Sequence, residues 1–278
     1  MTPGADLGIF LVSVAAGVLG ALAGIGGGML VIPALTVLFG VDIRLAIGAS
    51  IVSVIATSSG AAAAYVRDRL TNMRVGMFLE LATTVGAVCG ALLSAVVAAA
   101  VLYLILGIVL LFSAVQQVAR LGEELPPDAP ASPLAERLGL SASYPDARLG
   151  EVSYHARNVP LGFVLMLGAG LLSGLLGIGS GVLKVLAMDG AMRLPMKVSS
   201  ATSNFMIGVT AAASAGIYLG RGDVDVAIAT PVAVGVLCGA LLGARVLVRL
   251  RNRQVRLIFL PVLLVVAATM VAKGLGIG

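Results

Sequence analysis

The chain has 278 residues, 59% of them hydrophobic and 11% charged, with a formal net charge of +5 and a mean hydropathy of +1.10. Soluble domains carry about 25% charged residues, so a water-facing surface cannot be assembled from this inventory. The basic residues sit in short connections between apolar runs, which argues against a nucleic-acid groove and for a topological role in a membrane.

The apolar runs predict the elements in chain order. The first, 6–40, has no ionisable residue from Leu7 to Val41 and is interrupted by Gly24-Ile25-Gly26-Gly27-Gly28 and then Pro33. Glycine clusters break helices through their entropy and their access to positive φ, and proline removes a backbone donor. Asp6 is present and no basic residue precedes Arg44, so the positive start of a signal peptide is missing. Elements at 44–66, 75–98 and 100–119 follow, near the ~20 residues that cross a hydrocarbon core of ~30 Å. The segment 121–158 carries Pro126, Pro127, Pro130 and Pro133 together with many of the acidic residues. It reads as a polar cytoplasmic linker with a short helix near Leu134–Leu138. The second half offers elements at 160–189, 195–219, 226–248 and 255–277, the first of them interrupted by Gly177-Ile178-Gly179-Ser180-Gly181.

The halves resemble each other. Gly17, Gly24-Ile25-Gly26 and Gly28-Met29-Leu30 recur 153 positions later as Gly170, Gly177-Ile178-Gly179 and Gly181-Val182-Leu183, and the same offset pairs Ser50 with Ser203 and Tyr65 with Tyr218. After a four-residue contraction, Gly86–Leu93 aligns with Gly235–Leu242, cysteine included. Residues 1–120 and 159–278 are therefore expected to be two transmembrane repeats.

Loop charges predict their relative orientation. Arg67, Arg69 and Arg74 follow the second element, whereas Arg249, Arg251, Arg253 and Arg256 follow the seventh. Equivalent loops then face opposite sides of the membrane, the signature of an inverted repeat. An even number of crossings per half would keep the copies parallel, so one element in each must turn back. The glycine-broken first and fifth elements are the candidates. The expectation is an all-α membrane protein with two inverted-topology repeats, each with one broken, re-entrant element and three full transmembrane helices, and with both termini outside.

Irregular backbone at membrane depth persists only where protein or a wet cavity surrounds it, and transporters of this architecture place their substrate at such breaks. Half-helices starting after Gly26, Gly27 and Gly28 and after Gly179, Ser180 and Gly181 would aim free N–H groups at an anion. Lys184 is the sole charge between Val159 and Met188, and an intramembrane charge is functional by default. Ser50, Ser53 and Thr57 form a polar stripe mapping onto Ser203, Met206 and Thr210; Ser50, Ser203 and Asn204 are the candidates for contact with oxyanion oxygens. Glu80, near one end of its helix, could be a coupling carboxylate, but an interfacial charge is the expectation. Gly86-x-x-x-Gly90 and Gly235-x-x-x-Gly239-x-x-x-Gly243 fit tight helix packing. His155 is the only histidine, so no metal cluster is expected. With no phosphate-binding glycine–lysine loop either, no cofactor or direct ATP use is expected.

In Gly24–Pro33, its second-half counterpart, Ala201-Thr202-Ser203-Asn204-Phe205 and Gly235–Leu242, the sequence resembles the TauE/SafE (sulfite exporter) family, over nearly the whole chain outside the linker. The resemblance implies a multi-pass inner-membrane transporter, no enzyme, moving small anions such as sulfite or organosulfonates, usually outward. Its partners would be the anion and membrane lipid, with a homo-oligomer left open. Ser180 replaces a glycine of the family's motif, and Leu186 stands where a proline is usual. Uptake of a related anion and a non-transporting membrane scaffold are the competing readings.

Overall fold

The computed structural model describes residues 3–23, 27–119, 132–146, 150–247 and 252–277. The first half contains α1 (Pro3–Ala23), α2 (Gly28–Leu38), α3 (Ile43–Arg67), α4 (Met73–Leu93) and α5 (Ala99–Ala119). A short α6 (Pro133–Arg137) and an antiparallel hairpin of β1 (Ala142–Asp146) and β2 (Gly150–Tyr154) form the linker. The second half contains α7 (Val159–Leu176), α8 (Gly181–Val185) running into a π-helical turn over Leu186–Ala191, α9 (Met196–Arg221), α10 (Val226–Leu247) and α11 (Asn252–Gly274).

Both glycine-interrupted elements are broken, and each doubles back. Gly8, early in α1, lies against the ring of Phe39, just past the end of α2. In the second half the Arg157 amide donates to Met192 O (3.0 Å) and Asn158 Nδ2 donates to Ala191 O (3.1 Å). Each pair of helices therefore begins and ends at one side of the bundle. The second turn has Gly177 and Gly179 at φ +63° and +72° and Ser180 at +47°. These left-handed conformations end α7 and redirect the chain.

Corresponding helices start at 28 and 181, 43 and 196, 73 and 226, and 99 and 252, each pair 153 residues apart. The four-residue contraction of the sequence alignment is corrected by the packing. Gly86 lies against Leu167 and Leu171, and Gly239 against Val14 and Val18, so Gly86 corresponds to Gly239 rather than to Gly235. A Gly-x-x-x-Gly series matches itself when slid by one helical turn, which is how the alignment lost its register.

Those glycines let backbones touch. Gly86 and Gly90 of α4 meet Leu167–Leu175 of α7 in ascending order, and Gly235 and Gly239 of α10 meet Phe10–Val18 of α1 in the same sense. Each pair is thus parallel, while α3 and α9 run antiparallel, with Gly48 beside Asp223 and Gly208 beside Ser58. Two arginines close the C-terminus of α4, which ends at Leu93, short of the expected residue 98. Arg221 donates to Ala91 O (2.6 Å) and Ser94 Oγ (2.9 Å), and Arg44 donates to Val97 O (3.2 Å).

The linker is more structured than its composition suggests. Tyr144 and Tyr154 are buried in a cluster with Leu79, Val75 and Met192. Asn72 caps α4, its Oδ1 accepting from the Val75 amide (3.0 Å). Its Nδ2 donates to Leu140 O (3.0 Å) and Tyr154 Oη (2.8 Å). Burial pushes the Tyr154 phenol up to about 12, so this anchor stays neutral at physiological pH.

Candidate functional site

The second hairpin's turn and Gly28, where the first hairpin's helix resumes, converge on the middle of the antiparallel α3–α9 pair. Gly179 lies between Val54 and Ile207, and Gly177 lies against Ile47 and Ile51. Serines tie the resumed helices down. Ser50 Oγ lies 3.1 Å from Gly28 O and 2.9 Å from Gly177 O, able to donate to either. Ser203 Oγ donates to Gly181 O (3.2 Å). Ser50 and Ser203 thus stand equivalently in the two halves, each within hydrogen-bond reach of the first carbonyl after a break.

The other expected site residues divide. Gly27 packs on Val236, and Gly28 faces Ser50 and Val54; Gly26 lies outside the described residues. Ser180 is buried and its Oγ has no partner among the described residues. Asn204 is drawn away, its Nδ2 donating to Ser200 O one turn back (2.9 Å).

Lys184 is fully buried, with no route for its amino group to snorkel. Its Nζ donates to Thr210 Oγ1 (2.6 Å). Thr210 Oγ1 lies 2.7 Å from Glu80 Oε1 and 2.8 Å from Met206 O, and its one proton can go to either. Thr84 Oγ1 also donates to Glu80 Oε1 (3.1 Å). Glu80 Oε2 is buried with no partner among the described residues.

Glu80 is the residue that sequence reasoning misjudged. It is 8% exposed, inside the bundle rather than at an interface. The missed signal is its helical face: Gly76, Glu80, Thr83, Gly86, Ala87 and Gly90 fall at i, i+3 and i+4 spacings and are all buried. A carboxylate on the stripe that carries the packing glycines faces protein.

This polar chain exists once. The 153-residue correspondence turns Lys184, Thr210 and Glu80 into Val31, Thr57 and Ala233. The hydroxyl is kept in both halves, and the amine and carboxylate are absent together from the second arrangement. Among the described residues no cluster of His, Cys, Asp and Glu could hold a metal ion.

Around this polar centre the outer surface is apolar. Leu81, Val85 and Leu92 of α4, Leu161 and Val164 of α7, and Val234 and Leu241 of α10 are exposed. Among the described residues α4 and α7 have the length and hydropathy to cross a membrane, and shorter apolar stretches lie in α1–α3, α5, α10 and α11. Polar inside and apolar outside is the arrangement of a helical multi-pass membrane protein, in which lipid replaces water at the surface.

The chain belongs to the sulfite exporter TauE/SafE family, which it matches over residues 9–270. It is 30% identical to "Probable membrane transporter protein YdhB" of Bacillus subtilis, across 85% of this chain and 88% of that protein. It is 25% identical to "Probable membrane transporter protein YunE" of the same organism, across 94% of this chain and 95% of that protein. No solved structure matches it.

Proposed function

We propose that the chain is a secondary transporter of small oxyanions, exporting sulfite or an organosulfonate across the inner membrane through two inverted-topology repeats. The observation that carries this reading is that Gly28, just after the first break, and the Gly177–Gly179 turn of the second meet on α3 and α9, one turn from a buried lysine. Broken helices at such depth form substrate sites in transporters, and an intramembrane cation marks an anion path. Ser180 Oγ, buried with no partner among the described residues, is an available donor beside that path.

The helix directions support the inverted arrangement. α1 and α3 start from one end because the first hairpin returns there, α4 runs back, and α7 runs parallel with α4. The end holding Arg67, Arg69, Arg74, Arg157, Arg193 and Lys197 is the cytoplasmic one under the positive-inside rule. The opposite end carries Asp42, Asp223 and Asp225 beside only Arg44, Arg221 and Lys273 among the described basic residues.

Counterflow in proteoliposomes with a panel of sulfite, sulfonates, sulfate and carboxylates tests the function. Trans-stimulated flux of sulfite or a sulfonate is expected. Inertness toward every anion in the panel removes the transporter reading.

A further inference from the structure

The Lys184–Thr210–Glu80 chain has properties that a fixed structural ion pair does not need. A buried pair stabilises best when every lone pair and proton is satisfied, yet Glu80 Oε2 has no partner among the described residues. The only link described between amine and carboxylate is a hydroxyl, Thr210 Oγ1, at 2.6 and 2.7 Å, and its lone proton is also within reach of Met206 O. Both charges are missing together from the other repeat. A scaffold that folds there without the pair does not require the pair for folding here.

Among the described residues, the elements packed around the pair supply no second counter-charge at that depth. Of the helices packed on α4, α7 contains no ionisable residue, and α9 contains Lys197 in its first turn and Tyr218 and Arg221 near its end. Asp189 lies in the π-helical turn beyond α8. Arg74, in the first turn of α4, reaches Gly139 O in the linker.

We propose that Glu80 is a proton-binding site whose protonation releases Lys184 to hold the substrate anion, so that one proton travels with each anion. The inference rests on the transporter reading above and adds its coupling ion. Without substrate, Glu80 carboxylate and Lys184 ammonium sum to zero charge. With substrate, Glu80 has taken a proton from water, Lys184 keeps its charge, and the anion supplies the negative partner; the sum is again zero. Both forms are the kind a low-dielectric interior tolerates. Protonated carboxyl with an uncompensated ammonium, or carboxylate with ammonium and anion together, leaves net charge buried. Release on the other face returns the anion and the proton to water. Flux then follows the anion and proton gradients, and export proceeds when the anion is abundant inside.

The test uses reconstituted full-length protein and methanesulfonate, which stays ionised over the working pH, so titration of the substrate cannot imitate coupling. In wild type, an imposed pH difference of one unit is expected to drive up to about tenfold accumulation toward the alkaline side. A pH dye should record protons moving with the anion, and a potassium–valinomycin potential should drive no accumulation. For Glu80→Gln, an empty carrier bears an unbalanced Lys184. Exchange across equal pH is expected to persist without pH dependence, and proton-driven net flux to fall at least about tenfold. Wild-type counterflow without proton-driven accumulation overturns the coupling and leaves the transporter reading intact. Proton-driven accumulation by Glu80→Gln at the wild-type level also overturns it. No counterflow by wild type removes both. The wild-type measurements decide the matter alone if the variant fails to fold.

Discussion

At the scale of single residues, the centre of the molecule is organised by what each polar group lacks. Lys184 has a hydroxyl and no carboxylate oxygen as its described hydrogen-bond partner, which leaves its charge available to a ligand. Lys184→Ala is expected to abolish sulfonate flux, measured in proteoliposomes, and to destabilise the fold. Leaving a buried charge without its partner costs about 3–5 kcal/mol, so the combined Lys184→Met, Glu80→Gln variant should recover much of the loss in a thermal-unfolding cycle. Ser180 is a second such position. Its φ of +47° is a conformation that costs a non-glycine residue about 1–2 kcal/mol. Ser180→Gly should therefore raise the midpoint of thermal unfolding while weakening apparent anion affinity, if its free hydroxyl meets the substrate. A rise in both would return Ser180 to a purely conformational role. Lys184 was legible in the sequence because a lone cation in a charge-free run stands out. Glu80 was not, since its position early in a helix suggested water, and only the helical face it shares with Gly76, Thr83 and Gly86 reveals its burial.

At the scale of elements, the helices were legible because their apolar runs are long and the two breaks are written in glycine. The linker was misread in part. The short helix is present at Pro133–Arg137, but the β1–β2 hairpin gave little warning. Tyr144 is the buried aromatic of β1, and Val152 and Tyr154 give β2 a single apolar alternation, too short to set a period of two. Glycines sit at close backbone contacts between α4 and α7 and between α1 and α10. A Cβ placed on Gly90 or Gly174 would run into backbone of the facing helix, which cannot rotate aside as a side chain can. Gly90→Val and Gly174→Val are expected to cost at least about 1–3 kcal/mol through overpacking, read as lowered detergent melting temperature. Gly216→Val serves as the control, because nothing lies within 4 Å of the added Cβ.

At the scale of the whole molecule, the parallel course of α4 with α7 makes a topological prediction. The connections at Arg67–Arg74 and Arg249–Arg256 should lie on one face of the membrane, although they follow non-equivalent elements of the two halves. Single cysteines placed in each connection, in a background without Cys89 and Cys238, should react with an impermeant thiol reagent from the same side; labelling from opposite sides contradicts the inverted arrangement. A last consequence concerns the lone charged arm on an otherwise duplicated frame. If the halves exchange roles as the pathway opens first to one compartment and then to the other, the frame alone would make the two postures equal in energy. Lys184 and Glu80 belong to one posture's set of contacts more than the other's, so that equality is lifted. The carrier is then biased to rest open toward one compartment, and its half-saturating substrate concentrations on the two faces should differ.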